Sequence, residues 1–408
     1  MKTHINKNYL FAIFGLFLLL SYYFYWSGYI KSDGAINSGS DMQWHPSTIL
    51  WLGINPYIDY LSHPLYFMAQ KPNYGHLLYI LMYPFAMMDW EYAKMTWGMM
   101  NMLLLPLIVY IYFKNRYNLS YLILVSIFLL SSGTYLTILF NGQMTLVIAF
   151  FTTIAWLYRK KSQWIMTLSL SIILVKYSFG LPILWGFFMA GYRKEVIIAV
   201  LINLLAVLGF TIYFDMNFIQ SLTLPFQVAL SKTQIGPIDL MSLERVLSKG
   251  VEVLPDINAS LASITVTLQK VQNVNEHITR FTYVVVPMIY LTLTWIIYRQ
   301  KEYLSDNIII ASSIFLSMIT FFHLEYDQAM LLIALVILQN DLKLKNIYLI
   351  ILTSITIILW QQYNLFIMKA GFNLECPDSL YIYYNLLFIT VILFSVFSMI
   401  LSPYQDKR

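Results

Sequence analysis

Charge is scarce in this sequence. Only 11% of its 408 side chains are Asp, Glu, Lys or Arg, against 59% hydrophobic. A water-soluble globule of that composition could not cover its own apolar surface, so the chain belongs in a bilayer. It holds a single cysteine, Cys376, which excludes an intrachain disulfide and leaves the redox compartment unread. Glycine and proline are too few for a low-complexity or collagen-like chain, and no coiled-coil heptads run through it. Several signatures of soluble catalysis are missing as well: a P-loop of the form GxxxxGKS/T, a GxGxxG turn behind a strand, the HExxH zinc spacing and the GxSxG elbow. The formal charge of +5 reads as membrane topology, not as attraction to nucleic acid.

What the sequence does have is apolar residues in long runs. The first extends from about Tyr9 to Tyr29 behind Met1-Lys2-Thr3-His4. It is too long for the core of a cleaved signal and has no small-residue cleavage site, so it reads as a retained signal anchor. Further runs cover roughly 91–113, 119–139, 143–158, 162–175, 179–191, 195–214, 281–299, 305–322, 326–341, 346–368 and 381–401. Several lie near the minimum of about 17 residues for a spanning helix. The expected architecture is an all-α polytopic membrane protein of about twelve transmembrane helices, residues 1–408 forming one membrane domain.

The segment 76–88, HLLYILMYPFAMM, is short and ends at Asp89, Trp90 and Glu91, which predicts a helix lying at one interface instead of crossing. Charge placement supports this. With 76–88 not crossing, one side gathers Lys2, Lys7, Lys114, Arg116, Arg159, Lys160, Lys161, Arg193, Lys194, Arg299, Lys301, Lys343, Lys345, Lys407 and Arg408. The acids on that side are only Glu195, Glu302, Asp306, Asp341 and Asp406. By the positive-inside rule it is cytoplasmic and carries both termini. Counting 76–88 as a span would invert every later loop. Two long extracytoplasmic loops follow, about 30–90 and about 215–280. The second is polar, with Pro225, Pro237 and Pro255, and its Asn258-Ala259-Ser260 sequon is too short a pattern to weigh.

With the sides assigned, polar residues collect at the outer face. The first loop carries Asp33 and Asp41. Asn141-Gly142-Gln143 ends the third span, Lys176-Tyr177 ends the fifth, and His323-Leu324-Glu325-Tyr326-Asp327 lies between the ninth and tenth. Each has an ordinary structural reading. Asp41 can cap the helix that Pro46 begins, Lys176 can snorkel to headgroups, His323 and Asp327 can satisfy each other, and Asn141 and Gln143 can cap neighbouring helices. Charge this close to hydrocarbon is costly, however, and usually paired or functional. Together the residues describe a reaction centre: a carboxylate that takes a proton from a hydroxyl, a lysine that holds a phosphate, and a histidine that binds a leaving oxygen or the substrate. Such a set beside lipid suits a phosphate carried on a membrane-anchored chain.

The run Asp41-x11-Gly53-x-Asn55-Pro56-Tyr57, followed by Pro84-Phe85 and Trp97-Gly98-Met99-Met100-Asn101, resembles the start of the polyprenol-phosphate-mannose-dependent mannosyltransferases, glycosyltransferase family 87 of the GT-C superfamily. Asn141-Gly142-Gln143 and Lys176-Tyr177 resemble the family's NGQ and lysine signatures, although the family lysine commonly precedes proline and Lys176 precedes Tyr177 and Ser178. His323 and Tyr326-Asp327 resemble its later outer-face motif. The likeness covers most of residues 1–200 and thins afterwards.

The resemblance implies a GT-C fold with juxtamembrane helices in the first extracytoplasmic loop. It implies inverting transfer of a hexose, typically mannose, from a polyprenyl phosphate to a glycan or glycolipid acceptor in a bacterial plasma membrane, with no cofactor or metal. Asp41 matches the catalytic position, with Asp33 as competitor. Lys176 and His323 would bind the donor phosphate. Asn55, Tyr57, Asn141, Gln143, Tyr326 and Asp327 would bind or orient substrate, and the loop at 215–280 would choose the acceptor. The rival reading is a transporter or flippase of lipid-linked sugars, which predicts inverted repeats and charge near the midplane. No internal repeat is visible, and the polar residues collect at one face.

Overall fold

The computed structural model describes residues 14–19, 22–23, 43–59, 72–115, 119–130, 135, 138–139, 142–230, 276–320, 327, 329–338 and 341. Among them every regular element is a helix. In chain order these are α1 (Trp44–Trp51), α2 (His76–Leu81), α3 (Tyr83–Ala86), α4 (Trp90–Phe113), α5 (Leu119–Leu130), α6 (Thr145–Tyr158) and α7 (Gln163–Ile173). There follow α8 (Tyr177–Met189), α9 (Arg193–Tyr213), α10 (Phe218–Leu230), α11 (Glu276–Gln300), α12 (Asp306–Thr320) and α13 (Ala329–Leu338).

Two of the described helices, α4 and α9, are long and apolar enough to cross a bilayer, while α6, α7, α8, α12 and α13 are apolar but shorter. At 1.5 Å per residue, a helix of 14 residues such as α6 spans about 21 Å, less than the ~30 Å hydrocarbon core. About twelve crossings are therefore more than the described helices display. The expected spans at 346–368 and 381–401, and all but fragments of the one at 9–29, lie outside the described residues.

The packing of α4 has the polarity of a helix in lipid. Its outward stripe is Met99, Leu103, Leu107 and Tyr110, all exposed, whereas Lys94, Trp97 and Asn101 are buried. Spacings of three and four put each set on one face. A soluble helix would bury the apolar stripe and wet the polar one. Likewise α9 leaves Leu201, Leu205, Leu208 and Ile212 exposed.

The segment 76–88 breaks into α2, of six residues, and α3, of four, with Met82 closing the first and Pro84 in the opening turn of the second. Neither is long enough to cross. Within the second long loop, α10 carries Pro225 inside it. Residues 231–275 lie outside the described set.

The chain divides into two compact units. The first comprises Met1–Tyr158, Ser171–Lys176 and Ala199–Arg245; the second comprises Arg159–Leu170, Tyr177–Ile198 and Val246–Arg408. In the first, α1 packs on α2 and α3, and α4 packs on α5 and α6. In the second, α8 packs on α11 and α12, and α12 on α13. Gly186 makes the α8–α12 approach possible: a Cβ there would lie 2.6 Å from the Ser313 Cβ. Polar side chains reinforce the same helices, with Trp185 Nε1 donating to Thr294 Oγ1 at 2.9 Å and the Tyr290 and Thr320 hydroxyls 3.2 Å apart. Small residues and interhelical hydrogen bonds are what joins helices where the surroundings are as apolar as the side chains.

Candidate functional site

The outer-face candidates of the first unit are assembled by the loop that follows α1. The helix begins two residues before Pro46, and its cap position is Gln43, not Asp41. Gln43 holds a left-handed conformation (φ 66°), uncommon without glycine. Its own bonds fix it there. Gln43 Oε1 accepts from the Tyr79 hydroxyl at 3.1 Å, and its carbonyl accepts from Ser47 Oγ at 2.7 Å. One residue on, Trp44 Nε1 donates to the carbonyls of Phe85 and Met88 at 3.0 and 3.1 Å, which pins α1 to α3.

At the far end of α1, Gly53 takes φ 79°, the left-handed stop that glycine supplies without steric cost. The chain then makes an Asx turn, Asn55 Oδ1 accepting from the Tyr57 backbone N–H at 3.0 Å, while Asn55 Nδ2 lies 3.2 Å from the Met216 sulfur. The Tyr57 hydroxyl donates to the Tyr74 carbonyl at 2.7 Å. Asn55 and Tyr57 are both buried. Their polar groups shape the loop that carries the site.

Three separated segments converge on this loop. The Gly75 N–H donates to the Val175 carbonyl at 2.8 Å, which brings the first loop to the turn between α7 and α8. On that turn, Lys176 Nζ lies 3.4 Å from Thr145 Oγ1, at the start of α6. The residues before Thr145 form a second turn, with Gly142 at φ 60° and its carbonyl accepting from Trp97 Nε1 at 3.0 Å. Gln143 is buried within it. Thus the structure brings Gln143 and Lys176 to one place and connects them through Val175 and Gly75 to the loop of Asn55 and Tyr57. An ammonium group beside the positive N-terminal end of α6 favours an anion there.

Asp41, Asp33, Asn141, His323 and Tyr326 lie outside the described residues. Asp327 is buried and belongs to the second unit. Among the described residues, no group of three or more His, Cys, Asp or Glu side chains is placed to hold a metal ion.

Two buried residues of the first unit were passed over in the sequence. Lys94 is only 2% exposed, with its ammonium 5.2 Å from the centre of the Trp90 ring, which in turn lies 5.3 Å from Trp44. A lysine four residues after a tryptophan was the available signal, since that spacing stacks them on a helix. His76 is also 2% exposed, between Tyr57 and Phe210 at 4.8 and 4.7 Å between ring centres. Among the described residues neither of its ring nitrogens has a hydrogen-bond partner. Burial pushes its pKa down to about 4, so the ring is neutral at pH 7. Nothing in the apolar run HLLYILMYPFAMM distinguishes this histidine from a core residue.

A second polar cluster belongs to the second unit. The Tyr192 hydroxyl donates to Asp306 Oδ2 at 2.7 Å, Arg159 Nη2 to Asn307 Oδ1 at 3.0 Å, and Asn307 Nδ2 to Asp341 Oδ2 at 2.6 Å. Arg159 Nε and Lys160 Nζ each lie 3.7 Å from the same Asp306 oxygen. Burial, then the Asp306 carboxylate, pushes the Tyr192 phenol upward. Comparison with known proteins finds no matching family model, curated protein or solved structure.

Proposed function

We propose that this chain is a membrane glycosyltransferase of GT-C architecture that moves a hexose, typically mannose, from a polyprenyl phosphate to a glycan or glycolipid acceptor. The observation that carries the reading is the convergence of the Gly142–Thr145 and Val175–Lys176 turns on the loop of Asn55 and Tyr57. Those are the motifs on which the family resemblance rests.

A further support is the grouping of loops. Segments assigned by charge to the extracytoplasmic side, at 55–57, 75, 142–145, 175–176 and 216, meet in the first unit. Segments assigned to the cytoplasm, at 159–160, 191–192, 301, 306–307 and 341, meet in the second.

In this mechanism the acceptor oxygen attacks the anomeric carbon and passes its proton to the Asp41 carboxylate, while the bond from that carbon to the phosphate oxygen breaks and polyprenyl phosphate leaves from the opposite face. Leaving builds negative charge on phosphate. Lys176, with the N-terminal end of α6, stabilises that charge. Gln143 and Asn141 orient the substrates. General-base assistance of this kind is worth typically ~10²–10⁴-fold in rate.

The test is hexose transfer in nanodiscs from a polyprenyl-phosphate hexose to a membrane lipid extract, with Asp41→Asn and Asp33→Asn at matched expression. Loss of transfer in the first variant alone, with the fold retained, supports the reading. A wild type that transfers from no such donor sinks it and favours a carrier of lipid-linked sugars.

A further inference from the structure

We propose that His76 hydrogen-bonds a hydroxyl of the sugar on the lipid-phosphate donor, and so forms the sugar end of a site whose phosphate end is Lys176. The inference rests on the transferase reading and names the chemistry of its donor subsite. Its first ground is the state of the imidazole itself. His76 opens α2, is 2% exposed, and among the described residues has no partner for either ring nitrogen. Buried polar atoms in folded proteins are ordinarily hydrogen-bonded, so this imidazole has a donor and an acceptor to offer to water or to a bound molecule.

The second ground is the match of donors and acceptors. A neutral imidazole offers one N–H and one lone pair. A hydroxyl also donates and accepts, so one alcohol, or two neighbouring ones, satisfies both nitrogens. A phosphate would take only the N–H, and burial disfavours the doubly protonated ring that could give it two.

Position gives the third ground. The Gly75 N–H is bonded to the Val175 carbonyl, so His76 and Lys176 are the residues that follow on either side of that bond. The Tyr57 and Phe210 rings flank the imidazole and fix its orientation.

The experiment uses the full-length protein in nanodiscs, a polyprenyl-phosphate hexose, its monodeoxy analogues and polyprenyl phosphate without sugar. The wild type should lose roughly 10- to 100-fold in kcat/KM with one of the monodeoxy donors. His76→Phe should lose a similar factor with the full donor, as a rise in KM, and show no further loss with that analogue. Its affinity for polyprenyl phosphate alone should stay within about twofold. An unchanged KM in His76→Phe, or equal deoxy penalties in both proteins, overturns the proposal and leaves His76 as a packing residue satisfied by water.

If His76→Phe does not fold, the wild type decides by its histidine ¹⁵N resonances. Those of His76 should move on adding the lipid-phosphate hexose and not on adding polyprenyl phosphate. Resonances that respond to neither overturn the proposal. A wild type that transfers normally beside an unaffected His76→Phe variant removes this inference alone, whereas a wild type without transfer removes the transferase reading.

Discussion

The polar residues of the two units are used differently. In the second unit, Asp306 receives Tyr192, Arg159 and Lys160, and Asn307 joins Arg159 to Asp341. Each group meets another from the protein itself. In the first unit, His76 is buried, and among the described residues neither of its nitrogens has a hydrogen-bond partner. A network that satisfies itself holds helices together, whereas a buried imidazole with no partner among the described residues is suited to hold something else. The first cluster should therefore govern transfer, and the second stability.

The largest effect that separates them is catalytic. Asp41→Asn should reduce transfer by roughly 10²- to 10⁴-fold with little change in melting temperature, measured by scintillation counting of glycolipid product. An inactive Asp33→Asn variant beside an active Asp41→Asn would instead move the base to the earlier position. Next comes Lys176→Met, which removes a charged hydrogen bond to phosphate. We expect a loss of about 10- to 100-fold in kcat/KM for the donor, partly restored by Lys176→Arg. An unchanged donor dependence would return Lys176 to a headgroup anchor.

Acidification gives an effect of similar size on stability. His76 has a folded pKa of about 4 against an ordinary 6.5, so the unfolded chain takes up the proton first. Its contribution is present in full above pH 6.5 and is lost as pH falls towards 4, a change of about 3 kcal/mol by linkage. Thermal melts between pH 7 and 4 should show this fall in the wild type and a flatter profile in His76→Phe.

The smaller effects belong to the second unit. Asp306→Asn should lower the melting temperature through the partners it leaves behind, by roughly 1–3 kcal/mol of stability, and leave donor KM unchanged. Gly186→Val should act in the same direction, since any Cβ meets Ser313, at about 1–3 kcal/mol for overpacking. Loss of transfer in a folded Asp306→Asn protein would erase the distinction between the clusters.

How much of this was legible varied by residue. The helix starting at Trp90 and its end at Phe113 could be read within a residue, because a long apolar run bounded by Asp89 and Lys114 has only one hydrogen-bonded solution in lipid. That 76–88 forms no helix long enough to cross agrees with the expectation drawn from its short apolar run and the charge pattern of distant loops. The start of α1 was not: Pro46 and Asp41 pointed to a cap near residue 41, but Gln43 takes a left-handed turn held by Tyr79. That contact comes from 36 residues away, and no local propensity encodes it. Gln143 and Lys176 were singled out by motif chemistry. Lys94 and His76 were not, because a polar residue inside an apolar stretch is recognised as buried only when the packing around it is known.

The sequence by itself determined that the chain is helical and suited to lipid, since the scarcity of charge and the length of the apolar runs leave the backbone no other way to satisfy its hydrogen bonds. Tertiary structure alone decided that Gly75 meets Val175, a contact across one hundred residues that joins the first loop to the turn before Lys176. Contacts so distant depend on which helix faces fit together, and periodicity marks a face without naming its partner.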